Sequence, residues 1–282
     1  MTVGVPLGLG SGLCWGAADF FGGVQSRRLP ALTVAIWSQL AGGLALAAAL
    51  AVQATGPSLD EVAWGLAAGV GSGVALLLFY RGLAEGMMSV VAPVSACGAV
   101  VPVVAALLGG DAPGLPASLG IAAAIAGVAL VSRAAHRGRR GRRQPRVLGM
   151  ALGAALGFGL FYVFVDAGTA VPGSSPLWVV AGARASSLLM LCTIALAVRR
   201  PPRWPGRRIG PVALIGIADT AANLLFAYAA TRGNLGVVGV LGSLYPVATV
   251  LLARWLLDER LSRVQNAGVV LALTGVALLA AG

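Results

Sequence analysis

Three ionisable side chains interrupt stretches of sequence that are otherwise apolar, and they are the residues with which this chain can do chemistry. Asp219 and Arg184 stand near the middles of two such stretches, and Asp19 stands toward the end of the first. A charge at the centre of a bilayer costs about 2.5–3.5 kcal/mol on insertion scales, so one that is kept there faces protein or water and marks a solute or proton path. Asn223 lies one helical turn after Asp219 and shares its face, and Trp15 lies one turn before Asp19. A carboxylate beside an aromatic ring can hold an organic cation through charge and cation–π contacts. Arg184 can anchor a substrate carboxylate or serve as a counter-ion; the plainer reading is an Arg184–Asp219 ion pair that only neutralises two buried charges. Tyr80, Tyr228, Tyr245, Ser95 and Ser243 add hydroxyl groups able to line the same chamber.

Long apolar helices must position these groups. Of 282 residues, 58% are apolar and only 10% charged, with a mean hydropathy of +0.90. Soluble domains carry roughly 25% charged residues because their surface meets water, so the bilayer is the solvent for most of this chain. Apolar blocks lie near 5–24, 31–52, 62–80, 87–108, 116–132, 147–165, 176–198, 210–229, 234–257 and 264–281. Their lengths suit membrane helices rather than barrel strands. The first block lacks a positively charged leader and is long enough to span, so it is expected to be a retained span and not a signal peptide.

The ten blocks form two sets of five. Adding 148 places Leu66 on Leu214, Tyr80 on Tyr228, Ser95 on Ser243, Gly120 on Gly268 and Gly127 on Gly275. Near the start of each half the offset is 141, which places Gly8, Gly12 and Gly16 on Gly149, Gly153 and Gly157. An odd number of spans per half turns the second half upside down relative to the first. The expectation is an all-α membrane protein of ten transmembrane helices in two inverted five-helix repeats, residues 1–132 and 147–282, joined by an arginine-rich linker at 133–146. The duplication also separates site from scaffold. Asp219 falls on Gly71, Asn223 on Ala75, Asp19 on Leu160 and, at a local offset of 145, Arg184 on Gln39. The repeated architecture therefore does not require these polar groups.

All 20 basic residues are arginine, and they crowd the loops between odd-numbered and following spans. By the positive-inside rule those loops are cytoplasmic and both termini lie outside. The net charge of +11 thus reads as loop charge; no basic face interleaved with aromatics suggests nucleic acid. Cys14, Cys97 and Cys192 are isolated, and His136 is the single histidine, so no metal site, disulfide framework or cofactor is expected. No GxxxxGK[ST] motif or intramembrane His or Cys–His arrangement points to ATP drive or catalysis. Glycines four apart in spans 1, 3 and 6 allow close helix approach. Pro93, Pro102 and Pro246 should bend spans 4 and 9 beside a central site. Trp37, Trp64, Trp178, Trp204 and Trp255 read as interface anchors.

The stretches Trp15-Gly-Ala-Ala-Asp-Phe-Phe-Gly, Gly242-Ser-Leu-Tyr-Pro-Val and Leu257-Asp-Glu-Arg-Leu resemble signatures of the EamA-type carriers of the drug/metabolite transporter superfamily. A degenerate copy, Ala92-Pro-Val-Ser-Ala and Gly109-Gly-Asp-Ala-Pro, follows in the first half, with Asp111 falling on Glu259. The resemblance covers the whole chain. It implies ten helices, a central cavity and secondary transport of a small metabolite or drug-like solute, many members being exporters. Members are often described with cytoplasmic termini, opposite to the arginine count, which is retained here. The expectation is a multi-pass carrier of the bacterial inner membrane working by alternating access, with protons as coupling ion and a small solute and the lipid bilayer as its partners. The alternative is a channel or scaffold subunit without coupled transport.

Overall fold

The computed structural model describes residues 4–52, 56–110, 114–137, 143–232, 241–242 and 245–281. Among them are the helices α1 (Gly4–Ser26), α2 (Ala31–Leu50), α3 (Leu59–Glu85), α4 (Met88–Ala96), α5 (Val100–Leu108), α6 (Leu115–Arg137), α7 (Arg143–Thr169), α8 (Pro176–Ala197), α9 (Ile209–Arg232), α10 (Tyr245–Leu256) and α11 (Arg263–Ala281). No strand occurs among the described residues. Helices α4 and α5 are two halves of one broken span, so these eleven segments make the ten expected spans. Six are long and apolar enough to cross a membrane by themselves. Helix α1 is not one of the six: its seven glycines lower its hydropathy while making its surface fit its neighbours.

Local sequence explains the helix ends. Ser58 and Glu61 form a capping box at the start of α3: Ser58 Oγ accepts from Glu61 N at 3.2 Å, and Glu61 Oε2 accepts from Ser58 N at 2.6 Å. Glu61 also accepts from Ser175 N, tying two loops of one face. Ser262 and Gln265 repeat the box at α11. The α4–α5 break falls at a 3-10 turn, Cys97–Ala99. Pro102 cannot donate to the Gly98 carbonyl four residues back, which leaves the helix free to tighten there. Pro246 is the second described residue of α10; the two residues before Tyr245 lie outside the described residues, and with them the bend expected there.

The two repeats interlock. Helix α1 packs on α9 and α10 of the other half, where Ser11 Oγ donates to Ala222 O at 2.9 Å and Thr249 Oγ1 donates to Gly16 O at 3.0 Å. Its counterpart α7 packs on α3 and α4. Helix α8 packs on α3, and its counterpart α2 packs on α9. The last helices of the two halves, α6 and α11, cross each other. A Cβ on Gly120 would stand 2.9 Å from the Gly275 carbonyl oxygen, and one on Gly127 would stand 2.7 Å from that of Gly268. Gly120 and Gly268 are repeat mates, as are Gly127 and Gly275. Each glycine thus meets the mate of the other, in antiparallel order, which is the reciprocal contact that a two-fold axis imposes. The inversion is therefore written into side-chain packing.

Burial is inverted relative to a soluble domain. Leu44, Ile125, Leu189, Leu214 and Val270 are exposed, a surface suited to lipid. Contacts between helices rely on glycine, alanine and serine. The glycines of α3 and α1 work this way: a Cβ on Gly73 would lie 2.9 Å from Ser187 O, and one on Gly12 2.6 Å from Leu241 O. Gly149 has nothing near it, so the expected stripe on α7 is in use only at Gly153 and Gly157. On the arginine-rich face Trp37 and Trp204 meet edge to face, ring centroids 4.9 Å apart. On that face too, Glu259 reaches across the molecule. Its carboxylate accepts from Met88 N at 3.0 Å and Ser89 N at 2.9 Å, capping α4. Arg27 donates to the same carboxylate and to Gly86 O, each at 3.2 Å.

Candidate functional site

The interlocked helices leave a cavity at mid-depth with about 130 Å³ of room, roughly ten times what one water needs. Seven of the ten sequence-selected residues line it: Trp15, Asp19, Tyr80, Arg184, Asp219, Asn223 and Tyr245. They come from α1, α3, α8, α9 and α10, so both repeats build it. Ser95 is elsewhere. It is buried, and its Oγ donates to Ala151 O at 3.3 Å, joining α4 to α7. The side chain of Tyr228 and the whole of Ser243 lie outside the described residues.

A chain of polar groups crosses the cavity wall. Arg184 Nη2 donates to Asp219 Oδ2 at 2.5 Å, and Nη1 donates to Gln39 Oε1 at 2.6 Å. Gln39 Nε2 donates on to Ser187 Oγ at 2.8 Å. Gln39 and Arg184 are counterparts in the two repeats, so the chain lies where the halves meet. Close packing opens the space for it: Gly42 and Gly43 of α2 leave the path along which the Arg184 side chain runs. The burial of the pair is lopsided. The Arg184 side chain is 9% exposed and that of Asp219 is 35% exposed. The guanidinium is enclosed by its partners, whereas the carboxylate opens to the cavity. Asn223 Nδ2 donates to the backbone oxygen of Asp219 at 2.7 Å, which commits its amide nitrogen to the helix and leaves its amide oxygen available.

Asp19 differs from both. It lines the cavity, and among the described residues it has neither an ion pair nor a hydrogen bond. An enclosed carboxylate without a partner is held against its own desolvation, and a proton or a cation relieves that cost. Around it stand aromatic rings. Trp15 is steadied by Phe226 at 5.6 Å and by the edge of Tyr245 at 6.3 Å between centroids. The Tyr80 ring lies over Gly22, so close that a Cβ there would stand 2.5 Å from it. Phe158, Phe161 and Tyr162 of α7 complete the wall.

Sequence reasoning selected neither these three aromatics nor Gln39, Ser38, Ser72 or Ser187. Gln39 carried a signal, being an amide within an apolar run and the counterpart of Arg184. Tyr162 sits in an unbroken aromatic–aliphatic run in which nothing distinguishes a lipid-facing ring from a cavity-facing one. Among the described residues no group of three or more His, Cys, Asp or Glu could hold a metal ion.

A solved crystal structure is similar over almost the full length, covering 99% of this chain and 97% of the other with a TM-score of 0.64 at 18% identity. At that identity the likeness speaks to fold alone. No curated protein matches the chain. The EamA-like transporter family matches residues 2–133 and again residues 146–281, once for each half. With nearly the whole sequence covered by two successive copies of one repeat, and the two repeats folded into a single helical body, the chain belongs to the EamA-like transporter family and is a multi-pass membrane transporter.

Proposed function

We propose that the protein is a proton-coupled secondary carrier that exports a small metabolite or drug-like solute across the bacterial inner membrane by alternating access. The observation that carries this reading is Asp19, a carboxyl group with no partner among the described residues, in a cavity lined by helices of both inverted repeats. An inverted pair of repeats has two equivalent ways to tilt around such a site, one open to each face. Asp19 and Asp219 serve as the proton- or solute-binding carboxylates, and Arg184 serves as the counter-ion of Asp219. The concentration of arginine in the odd-numbered loops supports an orientation with both termini outside.

A growth screen of an overexpressing host against amino acids and toxic cations narrows the solute. Proteoliposomes with an imposed pH gradient then test the coupling. Saturable flux driven by the gradient is expected, and it is lost in Asp19→Asn and strongly reduced in Asp219→Asn. Unchanged flux in both variants removes the carboxylate roles, and non-saturable flux indifferent to the gradient makes the protein a channel.

A further inference from the structure

The charges of the cavity wall select the solute. Asp19, Asp219 and Arg184 line it, two carboxyl groups against one guanidinium, so the wall carries a net negative charge whenever Asp19 has given up its proton. That guanidinium is spoken for: its two terminal nitrogens bind Asp219 and Gln39, and the side chain is almost covered. A solute carboxylate would have to break one of those bonds to reach it. The carboxylates point the other way, Asp219 half-open to the cavity and Asp19 without a described partner. At the effective dielectric of a partly enclosed site, reversing the sign of a charge about 4 Å from a carboxylate changes its affinity on the order of a thousandfold or more. Asn223, whose amide nitrogen is committed to its own helix, offers the cavity an amide oxygen, which is an acceptor as well, beside tyrosine and serine hydroxyls that can donate or accept. The wall beside Asp19 includes the rings of Trp15, Tyr80 and Tyr245, whose faces attract cations. The volume of the cavity suits a solute about the size of an amino acid, not a lipid or a peptide.

We propose that the solute is a compact organic monocation, an amine or quaternary ammonium, whose charge rests against Asp19 and whose apolar part lies on Trp15 and Tyr245. The inference rests on the carrier reading and deepens it: Asp19 holds either a proton or the cation, so one is released as the other binds. The ionisable groups facing Asp19 are Asp219, Arg184, Tyr80, Tyr162 and Tyr245, and none of them supplies a free positive charge to replace the solute.

Three permanently charged molecules of one size separate the possibilities: choline, its zwitterionic relative glycine betaine, and the anion isethionate. Purified protein is titrated with each by calorimetry at two pH values, and proteoliposomes containing a pH-sensitive dye report the proton movement each solute drives. Choline should bind, bind more weakly at the lower pH, and drive protons in the opposite direction; betaine and isethionate should do neither. Asp19→Asn should weaken choline binding about tenfold or more and abolish its pH dependence, while Asp19→Glu, which retains the charge, should keep both if Asn disturbs folding. Proton movement driven by betaine or isethionate but not by choline overturns the cation assignment and leaves the proton-coupled carrier standing. Choline binding without proton movement keeps the cation assignment and removes the coupling. Failure of choline, tetramethylammonium and phenyltrimethylammonium alike to bind overturns the assignment outright.

Discussion

Two arginine–carboxylate pairs, Arg184–Asp219 at mid-depth and Arg27–Glu259 on the arginine-rich face, share one chemistry and are buried in opposite senses. In the first the arginine is covered and the carboxylate open, 9% against 35% exposed; in the second the arginine is open and the carboxylate covered, 32% against 9%. Glu259 is used up by two backbone amides and Arg27, as befits a group that fastens a helix start to a distant loop. Asp219 has one described side-chain partner and an oxygen to spare. Which member of an ion pair is covered therefore tells fastening from binding, where the presence of the pair alone does not.

The contrast can be broken at either end. Replacing Arg184 with Met leaves Asp219 uncompensated and should cost about 3 kcal/mol, the low end for breaking an enclosed pair because Asp219 keeps contact with the cavity. Thermal unfolding in detergent reads this, and an Arg184→Met/Asp219→Asn double variant should recover most of the loss without recovering transport. Glu259→Ala uncaps α4 and should cost about 1–2 kcal/mol, with Glu259→Gln recovering part. A smaller effect, under about 1 kcal/mol, is expected for Arg27→Ala, because its exposed guanidinium contributes little and Glu259 keeps its two amide donors. Asp19→Asn should leave the unfolding midpoint unchanged or raised while proton-coupled flux disappears. A large loss of stability in that last variant would make Asp19 a fastening group and end the distinction.

Much of this was legible in the sequence because charge and period survive without a partner. Asp19, Arg184 and Asp219 stood out as charges within apolar runs, and the 148-residue offset identified the repeat, though not that Gly120 and Gly127 mark the crossing of its last helices. What stayed hidden depends on contacts distant in sequence. The capping of Met88 by a glutamate 171 residues away leaves no local mark. Ser95 was selected as a hydroxyl able to line the chamber, yet that hydroxyl meets the Ala151 carbonyl and serves packing. Phe158, Phe161 and Tyr162 could not be chosen because an aromatic ring on a membrane helix suits lipid and cavity equally, and only the approach of the neighbouring helices decides.

The fastening on the arginine-rich face has a thermodynamic consequence. Were the two halves identical in sequence, the tilt open to one side and the tilt open to the other would be mirror exchanges of the same contacts, equal in energy and equally occupied. Glu259 has an acidic counterpart in Asp111, but the counterpart of Arg27 is Gly168 or Ser175, according to the offset. The second half therefore has no arginine at that place. Each 1.4 kcal/mol by which such an unmatched contact favours one tilt shifts the resting ratio tenfold. A few residues allowed to diverge between two copies of one ancestral unit are thus enough to give a symmetric machine a preferred resting side.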